Sequence, residues 1–435
     1  MSQNEQRTAY RAKLLTFVGD PAETSGGACF EEDGLLVVEG GHVVAAGPYA
    51  SLREQITPGT AIVERPGKLI APGFIDTHVH YPQTEMIASP AAGLLPWLDT
   101  YTFPTERGFA DPEHASNVAE FFLDQLVSCG TTTALTYCTV HKGSADALFE
   151  ASEARNLRMV AGKVLMDRNC PEFLRDTAQS GYDDSAALIE RWHKRGRQLY
   201  ALTPRFAPTS THEQLEACGA LARLHPDVFI QSHVSENTDE VKWVKELFPG
   251  HRSYLDVYEH YGLLRRRAVY GHCIYLDDND RARMAETGAV ASHCPTSNLF
   301  LGSGLFDFDK AGSAKMPVAL GTDVGGGTSF SMLQTMNEAH KIARMTGHHL
   351  TAERMFWLAT AGAAQALGLE DTVGTLRPGS EADFIVLDPE ATPLLARRSG
   401  LAQSPEEWLF AFAMLGDDRA VLETYAAGKR VHRRA

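Results

Sequence analysis

The chain has 435 residues with a formal net charge of −15, and 44% of them are hydrophobic against 22% charged. That length suits one large barrel with an accessory domain better than a single small core. The acidic balance argues against nucleic acid or an anionic membrane as a partner, and scattered cysteines without a C-x-x-C pair argue against a disulfide framework or a zinc ribbon.

From Tyr10 to about Gly67, runs of Val, Leu and Ile broken by Gly and Pro read as strands of a β-sandwich. Eight more strands of mostly continuous apolar character follow at 69–80, 130–139, 158–167, 198–208, 228–237, 268–276, 288–298 and 316–327. Most are separated by helical segments such as EHASNVAEFFLDQLVSCG. Continuous apolar strands are those buried on both faces of a parallel sheet. Eight such units predict an α/β fold, a (β/α)8 TIM-type barrel. A doubly wound open sheet is the rival, but no G-x-G-x-x-G follows the first strand. Only the seventh strand lacks a clear helix before the eighth. Strand-like segments return at 374–388 and 420–434, so the two termini predict one small composite β-sandwich domain. The expected limits are 1–67 and 373–435 for its two parts and 68–372 for the barrel. The polar opening MSQNEQRTAYRAKLL lacks the apolar core of a signal peptide, and a cytoplasmic setting is expected.

Active sites of such barrels lie at the C-terminal ends of the strands. There the sequence places His78, His80, Arg205, His233 followed by Glu236, His272, His293 and Asp323. His78 and His80 stand two apart in a strand and so point the same way. A lone histidine at a strand end is ordinarily a hydrogen-bonded structural residue. Several strands bringing such groups to one rim point instead to a metal, and neutral imidazole with carboxylate suits Zn²⁺, Fe²⁺ or Mn²⁺. His78, His80, His233 and Asp323 form a His₃Asp set that leaves a water to be activated. Glu236 is placed to exchange protons with that water. The alternative is a glutamate stabilised at a helix N-terminus. Asp323 would also orient the water, and His272 would bond the water or a developing oxyanion.

These residues, with the segments PGFIDTHVHYPQTEM, WLDTYTFPTER (97–107), TPRFAPT (203–209), QSHVSEN (231–237), HCPTSNLFLGSG (293–304), GTDVGGGTSFSML (321–333) and LGDDR (415–419), resemble the amidohydrolase superfamily over nearly the whole chain. H-x-H with S-H and T-D is specific to the superfamily only; HYPQ with TYTFPTE and PRF is narrower and resembles its guanine-deaminating branch. The resemblance implies one zinc per chain at His78, His80, His233 and Asp323, with Glu236, Asp323 and His272 as the catalytic groups. It implies substrate contacts from His80, Gln83, Trp97, Arg205, Phe206 and Glu236, hydrolysis of guanine to xanthine and ammonia, and a homodimer. Two-metal relatives bridge their ions with a carboxylated lysine on the fourth strand; QLYALTPRFAP has none, and Lys163 on the third reads as a structural cation.

The residue types support guanine in part. An arginine can donate to the adjacent O6 and N7 acceptors, Gln83 offers a donor and an acceptor, and Phe206 can pack on a base. A structural arginine paired with a barrel carboxylate, a turn glutamine and a core phenylalanine explain the same positions. Trp97, Tyr101 and Phe103 read equally as a closing segment or as a packing or dimer surface. The rivals are a hydrolase of another amino- or chloro-heterocycle on this scaffold and a catalytically silent structural relative.

Overall fold

The computed structural model describes residues 7–90 and 92–435; the first six residues of the polar opening lie outside them. Four strands open the chain: β1 (Thr8–Phe17), β2 (Ala28–Glu39), β3 (His42–Pro48) and β4 (Ala61–Pro72). The barrel follows with β5 (Phe74–His80), β6 (Thr131–Tyr137), β7 (Arg158–Gly162), the short β8 (Val164–Leu165), β9 (Leu199–Pro204), β10 (Phe229–Val234), β11 (Ala268–His272), β12 (Val290–His293) and β13 (Val318–Leu320). β14 (Phe384–Leu387), β15 (Val421–Ala426) and β16 (Lys429–Arg433) complete the strands of the described residues.

The two termini build one seven-stranded sheet in the order β16-β15-β14-β4-β1-β2-β3. Its pairs are antiparallel except β1 with β4. The sheet rolls far enough for the N–H of Val43 on β3 to donate to Ser380 O just ahead of β14, at 2.8 Å. Inside the roll, the rings of Tyr10, Phe384 and Tyr425 meet at centroid distances of 4.2 to 5.3 Å.

β5, β6, β7, β9, β10, β11, β12 and β13 pair in parallel in that order. The seam closes where Asp323 N–H donates to His78 O at 2.8 Å and His80 N–H to Val324 O at 3.3 Å. Each of these eight strands sends one apolar residue into a common layer, from Ile75 on β5 to Ala319 on β13, and Ala363 and Leu367 of the helix Ala361–Leu367 pack against it. This plug fills the N-terminal end of the barrel and leaves the polar residues to the C-terminal rim. Outside, helices such as Pro112–Ser128 bury an apolar stripe that includes Phe122, Leu123 and Leu126.

Several local expectations change, the predicted strands generally overrunning the observed ones. The apolar run 69–80 is two strands, because β4 stays in the terminal sheet as far as Pro72, past the expected boundary at residue 68, and the barrel begins only after Gly73. The third barrel strand ends at Gly162 rather than 167. Helices do follow the seventh strand, at Pro295–Phe300 and Phe308–Ser313; each is too short for a 3.6-residue period to register. Among the described residues no helix is long and apolar enough to cross a membrane.

Candidate active site

At the rim, four side chains predicted from the sequence converge. His80 Nε2 lies 3.3 Å from His78 Nε2 and 3.1 Å from His233 Nε2. Asp323 Oδ1 lies 3.2 Å from His78 Nε2 and 3.3 Å from His80 Nε2. With bonds of about 2.0–2.2 Å, donors to one ion lie roughly 3 Å or more apart, so these four spacings fit donors to a single metal. The protonation states fit as well. Burial drives His80 down to about 3 and His233 well below its usual value. Burial would raise Asp323, but the imidazoles, His78 first, hold it well below the ordinary carboxylate range. Neutral imidazole at His80 and His233 and an ionised carboxylate at Asp323 are forms a metal can bind.

His272 stands close by. One ligand atom each from His78, His233, His272 and Asp323 fall within 4.8 Å of one another. His272 Nε2 faces the other Asp323 oxygen at 3.7 Å and Glu236 Oε2 at 3.3 Å, whereas His80 is the imidazole that meets His78, His233 and Asp323 Oδ1 together. The tighter spacing favours His80 as the third imidazole and leaves His272 beside the reacting groups.

The surroundings orient these rings. His233 Nδ1 donates to Arg205 O at 2.6 Å and His272 Nδ1 bonds Asn298 Oδ1 at 2.8 Å, which aims each Nε2 into the site. Beneath them Asp76, pushed up to about 6 chiefly by burial, accepts from His78 N–H at 3.1 Å and Thr322 N–H at 3.0 Å. Gly271 leaves room for the His78 ring, since a Cβ there would sit 2.5 Å from its Cε1. Ser235, His272 and Asp323 adopt left-handed backbone with φ of 52°, 70° and 50°, a strained conformation that recurs where side chains must be aimed.

Glu236 is fully buried, and burial together with the Asp323 charge pushes its carboxyl up to about 8. Its Oε1 accepts from Ser303 Oγ at 2.8 Å. It precedes the helix Thr238–Leu247, whose cap is Asn237. The box partner at that N-terminus is Glu240, which accepts from the N–H groups of Glu236 and Asn237 at 2.9 and 3.1 Å. Glu236 is therefore free of helix capping.

A cavity joins this cluster to the other predicted contacts. Gln83, Trp97, Arg205 and Phe206 line its second side, with Leu94 and Leu98 beside them. Arg205 does pair with a barrel carboxylate, Nη1 lying 2.8 and 2.9 Å from the two oxygens of Glu106, and yet it borders the cavity. The amide nitrogen of Gln83 is also turned to Glu106, at 3.3 Å, so one of its two N–H donors is engaged and its carbonyl faces away from that carboxylate. The segment 94–106 closes this side: Trp97 is anchored by its N–H to Ser89 O at 3.1 Å, and Phe103 lies 5.5 Å under the guanidinium. One rim candidate, His293, lies apart, and Lys163 is the structural cation expected of it. His293 stacks on Phe306 at 4.7 Å, and Lys163 is buried against Asp176 at 2.6 Å.

Sequence reasoning missed Glu106, Asp76 and Glu240. Glu240 had a signal, the N-x-x-E spacing of a capping box. Asp76 and Glu106 fall in segments that carry the resemblance, but nothing local showed their partners: one is a carboxylate inside an apolar strand, the other meets Arg205 across 99 residues of chain.

A buried imidazole and carboxylate donor set at the C-terminal rim of a (β/α)8 barrel, with a buried acid beside it, defines the class of metal-dependent barrel hydrolases. The chain belongs to the amidohydrolase family, whose profile matches residues 69–431. It is 49% identical to the guanine deaminase of Escherichia coli K12 over 417 residues, covering 96% of this chain and 95% of that one. The solved structure of E. coli guanine deaminase superposes with a TM-score of 0.95 at 47% identity, over 99% of this chain and 100% of that one. A guanine deaminase from C. acetobutylicum, solved with guanine bound in its active site, matches with a TM-score of 0.85 at 26% identity, over 98% of this chain and 100% of that one.

Proposed function

We propose that the chain hydrolyses guanine to xanthine and ammonia, with one zinc ion held by His78, His80, His233 and Asp323. The observation that carries this is a single cavity bordered on one side by the donor cluster and Glu236 and on the other by Arg205 and Gln83. The extent of identity to proteins named for this activity supports it.

When bound, the ion supplies Lewis acidity that lowers the pKa of a water molecule. The chain's own groups do the rest. Arg205 donates to the O6 and N7 edge of the base, the Gln83 carbonyl accepts from a ring N–H, and Phe206 packs on the base face. Trp97 and Leu98 keep bulk water from the site. Glu236, raised to about 8 by burial and by Asp323, suits a group that takes up and gives back a proton near neutral pH. It accepts the proton of the attacking water, delivers it to the ring nitrogen beside C2, and then serves the departing amine. Water oxygen adds at C2, the C2–N bond breaks, and guanine plus water become xanthine plus ammonia. His272 bonds the oxygen that develops charge. By the resemblance the setting is purine breakdown by a homodimer, and the polar N-terminal segment with scattered cysteines fits a cytoplasmic location.

Purified protein offered guanine, adenine and a chlorotriazine separately tests the substrate. Ammonia and xanthine in equal amounts from guanine alone are expected; chloride release from the triazine without guanine turnover would overturn the assignment.

A further inference from the structure

We propose that Glu106 is a positioning residue that determines specificity: it holds Arg205 and Gln83 so that the cavity presents donors beside an acceptor. The proposal deepens the reading above and rests on it for the 6-oxopurine ligand class.

Glu106 ends the short helix Phe103–Glu106 and is almost fully buried, as is Arg205, with side-chain exposures of 1% and 3%. Both carboxylate oxygens accept from one guanidinium nitrogen, Nη1, at 2.9 and 2.8 Å. Among the described residues Nε and Nη2 of Arg205 have no partner, so they remain for a ligand at the cavity that Arg205 lines. A carboxylate can only accept hydrogen bonds. The Gln83 atom that meets it at 3.3 Å is therefore the amide nitrogen, and the Gln83 carbonyl must point away from Glu106. Gly325 makes room for that carbonyl, because a Cβ there would sit 2.3 Å from Gln83 Oε1, and its φ of +123° is one that other residues rarely adopt. One buried carboxylate thus settles the polarity of both recognition groups and balances the arginine charge.

The resulting pattern fits a base that carries two adjacent acceptors and a ring N–H. It rejects one with an exocyclic amine at position 6, which would set its donor against the guanidinium and leave buried groups unpaired. Glu106→Gln keeps the side-chain shape but supplies a donor of its own. That donor can bond the Gln83 carbonyl, which lets the Gln83 amide turn its nitrogen to the cavity.

Hypoxanthine and adenine are suitable probes, because neither carries the 2-amino group that would be hydrolysed. Their Kd values can be measured by calorimetry on the wild-type protein, E106Q and E106D, with melting temperatures alongside. The wild-type protein is expected to prefer hypoxanthine. E106Q should weaken hypoxanthine about tenfold or more while changing adenine less than threefold. E106D keeps the charge but reaches less far, and should retain part of the preference. A merely structural role weakens both ligands together. An unchanged ratio in E106Q, or no preference in the wild type, overturns the proposal; if E106Q does not fold, a wild-type ratio in E106D does so. A wild-type protein that prefers hypoxanthine yet leaves guanine intact refutes the deaminase assignment while Glu106 keeps its role.

Discussion

Oε2 of Glu236 lies 3.3 Å from Nε2 of His272, with both side chains buried at the rim of the barrel. In the proposed reaction this contact sets the proton carrier next to the group that bonds the developing oxyanion. Glu236→Gln preserves the shape and the bond from Ser303 but cannot carry the proton. Turnover should fall by roughly 10²–10⁴-fold with metal content unchanged by elemental analysis. A variant within tenfold of wild-type activity would remove Glu236 from the chemistry.

His233 is held through Nδ1 by Arg205 O while its Nε2 faces His80. His233→Ala should lose both the ion and the activity, because one of the four proposed donors is removed. The melting temperature of the metal-loaded wild type should exceed that of this variant, since an ion that binds only the folded state stabilises it by mass action. One full equivalent of metal retained in the variant would show that His233 is no ligand.

A single methyl group tests the cradle below the cluster. In Gly271→Ala the new Cβ would fall 2.5 Å from His78 Cε1, and the ring also contacts Tyr137 at a centroid distance of 4.8 Å. The ring must shift, so metal affinity should drop about 10–100-fold, the size of effect known for groups that orient ligands. Competition with a chelator measures it; an unchanged affinity would mean that the ring has room to spare.

The barrel is tied to the terminal sheet by Arg158 and Arg197, which hold Glu381, while Arg197 also reaches Asp383 at 2.5 Å. Burial would raise the Glu381 carboxyl, but Arg197 and Arg158 outweigh it and keep it below the usual range. The folded state therefore binds this proton more weakly than the unfolded chain. The stability so gained is present above the unfolded value of about 4.3 and is lost as pH falls through the lower folded value. Glu381→Gln should cost about 2 kcal/mol at pH 7, and the gap should narrow below pH 4. Urea midpoints at the two pH values check the sign; a gap that widens in acid would contradict it.

Much of the site was legible because strand chemistry is local. Two histidines at i and i+2 must face one side, and strand ends of a parallel barrel must share a rim, so His78, His80, His233 and Asp323 follow from spacing and fold class. What joins distant segments was not legible. The pairing of Glu106 with Arg205 depends on how 94–106 folds back over the barrel, and the Asp76 bond to Thr322 exists only once the seam closes. The break at Gly73 was hidden for another reason: β4 and β5 are both apolar, and hydropathy does not reveal that the sheet changes between them. Left-handed backbone at His272 and Asp323 leaves no trace in residue type.

The most direct test of the central claim is guanine turnover against zinc content, starting from chelated protein and adding the ion in steps. Xanthine and ammonia should rise together and level off at one zinc per chain, and renewed chelation should abolish both. Full turnover in metal-free protein, or a plateau only at two ions per chain, would contradict a single-metal deaminase built on His78, His80, His233 and Asp323.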